Sequence, residues 1–592
     1  MKTAKDAFNQ LLIDYSDLIS NGWFASLAPG LFAPLPPGWF AAGSGSGAGG
    51  NSGTTSKTLP ATIVGSGNFK VNLVWDSTVT SSTFQASINK AALAVANALS
   101  DTLTVNLGIT NSGTGGGASA GPSGGLYESY SWVYSHLKSG DPTFSSLSNS
   151  TSIQGQTNVA VWNAQLKLWG VASTSSLDGS AQFATDIGSS ALFGVALHEL
   201  THALGRVPYG SSPDVFDFFR YTAPGKMLFS SSIPAPLAYF SIDGGVTNLA
   251  YYGMNSDPSD FYNGTPTGQM HSVYNTTYDA FSEYYYSNGA SNQYLSALDL
   301  HSLVAIGFHL NPLAVVKATA TLTTTPVVVS DSGINIQNNL DYLNSHIDSI
   351  YSISQNDTSV LSITAAQSVS DSSILMLLNL YEKLNVNVTG SSGSDNIYGI
   401  GNAKINGGGG VDNISLLCHT STTVDTICDT SAVSISNLEK VTGFLSTDKV
   451  QLANSATSLN GLTNLGTGSS LAAGAAVATA VQVVKAGAAF TVSQSGIDVL
   501  DITGASFSSV SSLITSLSSN AAGSTYATFG AAVAKGSHFL VEYTGSDGTH
   551  IAEITQGATS NHLASSSTGV DLIDLIGVSQ HVAASNLLIL AA

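Results

Sequence analysis

Residues 198–202 read His198-Glu199-Leu200-Thr201-His202, two imidazoles and a carboxylate at a spacing that can do hydrolytic chemistry. On a helix, positions four apart share a face, so His198 and His202 can aim ring nitrogens at one Zn²⁺ while Glu199 points to the open coordination position. Zinc lowers the pKa of a bound water from ~15.7 to ~7, and a carboxylate there serves as general base and then as proton shuttle to the leaving amine. With 12 histidines in 592 residues, H-E-x-x-H arises by chance in only roughly three such chains per thousand. Gly205 follows three residues later, where a glycine lets the chain turn sharply off the helix.

Local patterning supplies a scaffold for these residues. Residues 69–75 alternate as a strand, 83–100 have helical periodicity and 102–109 read as a second strand. The motif falls in the second half of a predicted helix over 189–204. A hairpin is expected from 239–242 and 246–252 around Asp243-Gly244-Gly245, and a final helix over 298–308 closes an α+β domain near residue 312. Before this domain, residues 1–60 form an extension with an amphipathic stretch and a Gly/Ser linker at 43–53. An extension of this kind suits a propeptide that crosses a peptidase cleft.

Three segments, HELTHALGR at 198–206, DFFRYTAPG at 217–225 and FSIDGG at 240–245, resemble the metzincin peptidases, and within them the secreted serralysin-like zinc metalloproteases. The likeness covers roughly residues 65–312 and implies a metzincin-like α+β catalytic domain that cleaves peptide bonds in protein or peptide substrates. One position departs from it. A metzincin carries its third ligand, His or Asp, three residues beyond the glycine, and this chain has Pro208 there. A catalytic zinc needs three protein ligands, so a substitute is required. Asp217 is the first choice, with Asp214 and His271 in reserve; the plain alternative is that Asp217 caps a short helix or pairs with Arg220. No methionine turn is legible, although Met227, Met254 and Met270 are available. Arg206 and Arg220 are the chain's only arginines. One of them could fix a ligand carboxylate or bind substrate, and the other reading is a structural salt bridge. Tyr221 could stabilise an oxyanion or simply pack.

From about residue 313 the texture changes to short aliphatic runs between Ser/Thr/Asp/Gly turns. Residues 313–389 read as a small mixed α/β spacer, with helices over 334–351 and 372–384. Residues 390–592 read as mainly β, a β-roll or β-sandwich-like domain. Two nonapeptides, Gly390-Ser-Ser-Gly393-Ser-Asp395-Asn-Ile397-Tyr and Gly407-Gly408-Gly-Gly410-Val-Asp412-Asn-Ile414-Ser, fit G-G-x-G-x-D-x-U-x, the first with a serine substituted. In such turns backbone carbonyls and the aspartate coordinate Ca²⁺ while the aliphatic residue fills the interior. The plainer reading is that of glycine turns in a β domain. These segments resemble the repeats-in-toxin β-roll of proteins exported by type I secretion. That resemblance implies export by the type I apparatus without an N-terminal signal peptide, calcium-dependent folding outside the cell, and an uncleaved C-terminal signal. Residues 339–343 (NLDYL) and 361–367 (LSITAAQ) also resemble a domain repeated in large bacterial surface and type I exported proteins.

Composition agrees with an extracellular protein. Charged residues are only 9% of the chain and the formal charge is −20, a surface that repels nucleic acid and anionic membranes. Aspartates interrupt the N-terminal apolar stretch where a signal peptide would need continuity, and no segment is long and apolar enough for a transmembrane helix. Cys418 and Cys428 lack zinc-thiolate spacing and form either a local disulfide or two buried thiols. The leading expectation is a secreted zinc endopeptidase. The alternative is a surface-layer or adhesive protein with an inactive peptidase domain, an idea motivated by Pro208 and by a Ser/Thr/Gly-rich chain suited to lattice or matrix roles.

Overall fold

The computed structural model describes residues 61–591 apart from 115–116, 139–143, 145, 211, 277–278, 284–294, 319–321, 323–324, 421, 430–436, 455–461, 468–480 and 493–498. The N-terminal extension and its linker lie outside the described residues. The chain divides into two units. One holds residues up to 315 with 321–328 and 348–351, and the other holds 316–320, 329–347 and 352–592. The stretch expected as a separate spacer is therefore shared between the two.

In the first unit, strands β1 (Ala61–Val64), β2 (Phe69–Trp75), β3 (Leu103–Asn111), β4 (Ala118–Pro122) and β7 (Gly179–Phe183) form a sheet of order β1-β2-β3-β7-β4. A hairpin of β5 (Gly125–Ser129) and β6 (Asn158–Trp162) accompanies it. Phe69, Val71, Leu73 and Trp75 alternate into the core, and β2 pairs parallel with β3. Parallel strands need a crossover, and the helix Ser82–Ala98 supplies it. Ser81 caps that helix by accepting a hydrogen bond from the Phe84 amide, and Ile88, Ala91, Ala92, Val95 and Ala96 form its buried face. This alanine-rich helix packs on the motif helix, Leu192–Ala203, every residue of which is buried. The motif helix also lies on β7 and β4. At Gly179 a Cβ would sit 2.2 Å from the Ala203 carbonyl oxygen, so only glycine lets the strand pass beneath the helix end.

A second sheet has the order β11-β10-β8-β9, from β8 (Arg220–Ala223), β9 (Lys226–Met227), β10 (Tyr239–Phe240) and β11 (Ala250–Tyr251). The expected hairpin is present, with Tyr239 opposite Tyr251, but its strands are two residues long. The intervening loop is organised by Asp243, whose Oδ1 accepts from the Ser241 hydroxyl and the Thr247 amide. The closing helix, Ala297–Ala305, begins with a capping box between Ser296 and Asp299.

The helix expected over 334–351 is broken into Gly333–Asn338, Leu340–Ser345 and a 3₁₀ turn at Ile347–Ser349, followed by the strand Ile350–Gln355. At the break the Asn339 side chain donates back to the Asn335 carbonyl, competing with the backbone ladder. The helix expected over 372–384 stops at Tyr381, and a strand, Asn385–Thr389, follows.

From there the second unit is mainly β. Strands Asn385–Thr389, Asn396–Ile400, Asn402–Asn406, Val411–Leu417, Thr426–Asp429, Leu438–Thr442 and Lys449–Asn454 alternate between two parallel sheets, a roll. Its interior is stacked in register. Ile397, Ile414 and Val441 align on one sheet, and Ile405, Ile427 and Val450 on the other. The terminal strand Leu587–Ala591 pairs parallel with Lys449–Asn454. Another core gathers around the amphipathic helix Val510–Ser518 and includes Leu513, Leu517, Phe539, Val541 and Ile554.

His301, on the closing helix, is buried with Nε2 2.9 Å from the Tyr351 carbonyl and its ring stacked on Tyr351. Burial pushes its pKa down to about 4, against a partial opposing pull from that carbonyl. Unfolded, the group titrates near 6.5, so its neutral form stabilises the fold above that pH, and about 3 kcal/mol is lost as pH falls from ~6.5 to ~4. Urea titrations at pH 7 and 4.5 should show a smaller stability loss for His301→Gln than for the wild type; an equal loss would refute this assignment.

Candidate metal centre

His198 and His202 face each other from successive turns of the motif helix with Nε2 atoms 2.9 Å apart. Asp260 completes the group, its Oδ1 lying 3.2 Å from each Nε2, and all three residues are buried. The far nitrogens settle the ring tautomers. His198 Nδ1 lies 2.9 Å from the Ala280 carbonyl oxygen and His202 Nδ1 lies 2.7 Å from the Arg206 carbonyl oxygen. A carbonyl only accepts, so each Nδ1 carries a hydrogen and each ring, when neutral, presents an Nε2 lone pair. Two lone pairs and a carboxylate oxygen thus converge within about 3 Å in a buried setting. His202 Nε2 also accepts from Arg206 Nη2 at 3.0 Å, so the guanidinium supplies part of the positive charge that this buried group needs.

Glu199 is buried beside this group. Burial raises its carboxyl pKa, the neighbouring imidazoles of His198 and His202 work in the opposite direction, and Asp260 and Asp257 add to the rise. Burial also opposes the charge on Asp260, but the two imidazoles, His198 foremost, outweigh it and hold that carboxyl below its ordinary value. For His198, burial disfavours the charged ring and Asp260 more than offsets this, so its pKa is raised.

Asp260 is positioned by backbone pairing. Phe261 is knitted between two segments, donating its amide to the Phe281 carbonyl and accepting at its carbonyl from Glu283, and it bridges Tyr252 on the other side. Before it, Asp257 Oδ1 accepts from the amide and hydroxyl of Ser259, which makes a tight turn. The Ser259 carbonyl accepts from Arg206 Nη1 at 2.8 Å. At the helix end Gly205 has φ +114°, and its amide bonds the His202 carbonyl, so the chain leaves the helix as the sequence implied.

The structure corrects the choice of third residue. Asp217 sits in the 3₁₀ turn Phe216–Phe219, where Oδ1 accepts from Arg220 Nη1 at 2.8 Å and both side chains are fully buried. Asp214 and Asp217 accept from each other's amides. Asp217 thus pairs with Arg220, one of the alternatives the sequence had left open, and Asp214 helps close the same turn. His271 is exposed and does not belong to the cluster. Arg220 lies over the rings of Phe216 and Tyr252, and Tyr221 is buried in β8 beside Tyr239 and Gly245, so neither belongs to the cluster. Nothing in the sequence singled out Asp260, an aspartate 58 positions beyond His202 in a chain that offers many. Its signal is the backbone pairing of Phe261, which is visible only in three dimensions.

In the roll, the two glycine turns do stack. A Cβ on Gly390 would lie 1.9 Å from the Gly407 oxygen, one on Gly408 2.0 Å from the Ser391 oxygen, and one on Gly410 2.6 Å from the Gly393 carbonyl carbon. Gly408 and Gly410 also have positive φ. Asp395 donates its amide to Asp412 Oδ1 at 2.8 Å, and its own Oδ2 accepts from the Ser391 amide and hydroxyl. Glu439, which the motif did not include, occupies the next rung in register with Asp412. Asp412 Oδ2 and Glu439 Oε2 are buried without hydrogen-bond partners. Burial, then Asp429 and Asp412, pushes Glu439 up to about 9; burial likewise raises Asp412 to about 6, opposed by the hydrogen bond from the Asp395 amide and aided by the charges of Asp395 and Asp429. Cys418 and Cys428 are free thiols.

No family model, curated protein or solved structure matches this chain.

Asp217→Ala leaves the Arg220 guanidinium buried without its carboxylate, and breaking a pair in this way costs about 3–5 kcal/mol. The thermal midpoint should fall accordingly, and a midpoint equal to the wild type would remove the structural role given to this pair.

Proposed function

We propose that the protein is a secreted zinc-dependent endopeptidase in which His198, His202 and Asp260 hold the metal and Glu199 is the general base. The observation that supports this reading is the convergence of two Nε2 lone pairs and one carboxylate oxygen beside a buried glutamate. Zinc bonds of ~2.0–2.2 Å in tetrahedral array put neighbouring ligand atoms roughly 3.3 Å apart. The separations of 2.9, 3.2 and 3.2 Å fit that spacing. Two imidazoles and a carboxylate are also a donor set suited to zinc.

When bound, zinc would supply Lewis acidity, polarising the scissile carbonyl and acidifying the attacking water. Glu199 takes one proton from that water as its oxygen bonds to the carbonyl carbon, then passes the proton to the amide nitrogen as the C–N bond breaks. Its raised pKa brings it nearer to the operating pH, where a proton shuttle works best in both directions. The carbonyls of Ala280 and Arg206 keep both rings in the ligating tautomer throughout.

The roll supports a calcium role. Ca²⁺ among Asp395, Asp412 and the stacked turn carbonyls would relieve the unpaired Asp412 oxygen and couple folding to calcium outside the cell. Type I export and cell-surface association belong to the same reading. The inactive surface-layer alternative drew on Pro208 and on the Ser/Thr/Gly-rich composition; Asp260 offers the carboxylate that Pro208 cannot, which favours the peptidase reading on the first ground.

Glu199→Gln should retain one zinc per chain by elemental analysis while casein hydrolysis falls roughly 10²–10⁴-fold. Asp260→Ala should lose stoichiometric zinc, whereas Asp217→Ala should keep it. Wild-type protein that lacks zinc, or a Glu199→Gln variant with full activity, would sink the reading. Calcium titration followed by circular dichroism should show a gain of β signal that Asp412→Asn shifts to higher calcium; no gain would argue against the roll's proposed role.

A further inference from the structure

Arg206 is fully buried at the end of the motif helix, and its guanidinium reaches every segment that carries part of the metal centre. Nε donates to the Thr201 hydroxyl at 3.1 Å, on the helix itself. Nη1 donates to the Ser259 carbonyl at 2.8 Å and lies 3.5 Å from Asp260 Oδ1, on the segment that brings the third carboxylate. Nη2 donates to the His198 carbonyl at 3.4 Å and to His202 Nε2 at 3.0 Å, and a cation taken up on that nitrogen would displace the second bond. The guanidinium plane covers the Phe281 ring at 4.1 Å, next to Ala280, whose carbonyl orients His198. Its own carbonyl orients His202. A planar fork with five donors can span these acceptors at once, whereas a single ammonium cannot.

We propose that Arg206 is the positioning residue of the metal centre, tying the Asp260 segment to the motif helix and so setting how the three ligands meet a divalent cation. This rests on the zinc reading above. The guanidinium is also a positive charge beside the cation. Deleting it would cut the tether and relieve repulsion together, two effects of opposite sign on affinity. The test therefore keeps the charge and cuts only the tether.

Arg206→Lys retains the charge but loses the fork, and Thr201→Val retains Arg206 entirely while removing the hydroxyl that Nε uses, with nearly unchanged side-chain volume. Both would be made in the full chain and checked by thermal unfolding. Zinc affinity would be measured by competition with a chromophoric chelator, and ligand geometry by the visible d–d bands of the Co²⁺-substituted protein. Loss of an outer partner that orients metal ligands typically weakens affinity 10–100-fold. We expect Arg206→Lys to bind one zinc in that weaker range with altered Co²⁺ bands, and Thr201→Val to shift both in the same direction by less. A merely structural arginine would move the unfolding midpoint and leave zinc affinity and the cobalt bands of the folded protein unchanged. Wild-type zinc affinity and cobalt bands in a folded Arg206→Lys, or in Thr201→Val should the lysine variant fail to fold, overturn the proposal. Wild-type protein without stoichiometric zinc would instead overturn the parent reading.

Discussion

Two backbone carbonyls, those of Ala280 and Arg206, decide what the histidine pair can do. By accepting from Nδ1 they turn both Nε2 atoms, lone pairs when the rings are neutral, towards the Asp260 carboxylate in a buried setting. Much of the first unit serves this condition. The motif helix must be held rigidly enough for its two rings to share a point, which is why it is buried along its whole length between a sheet and an alanine-rich helix. The segments at 260 and 280 must approach from the other side at fixed register. Phe261 achieves that with main-chain bonds rather than side-chain contacts.

Local periodicity made the sheet-and-helix frame legible. β2 matches its predicted span, the crossover helix and the motif helix lie within a few residues of theirs, and the register of Ile397 with Ile414 follows from the nonapeptide repeat. The failures have physical causes. Residues 334–351 carry helical periodicity, but the Asn339 amide competes for a helix carbonyl and interrupts it. The hairpin strands at 239 and 250 are short because Asp243 Oδ1 organises the loop between them.

At the centre itself, the helical spacing of His198, Glu199 and His202 was readable because neighbours on a helix are neighbours in space. The third carboxylate was not, because its position depends on pairing between distant segments. Asp217 had the better local credentials, lying soon after the helix with an arginine nearby, and that arginine is the reason it is occupied elsewhere. A carboxylate already bonded to a buried guanidinium is stable where it is. Asp260 has its own arginine, yet at 3.5 Å and shared with two imidazoles, so its charge remains directed inward.

Both arginines of the chain have 0% exposure, one within reach of the histidines and the other at the start of β8. An endoprotease specific for arginine therefore has no site to cut on the folded surface. Cleavage after residue 206 requires the ground around the histidines to open, and where reclosing outpaces cleavage the nicking rate tracks the population of that open state. The scarcity of one amino acid gives the protein a built-in clock for the breathing of its own centre.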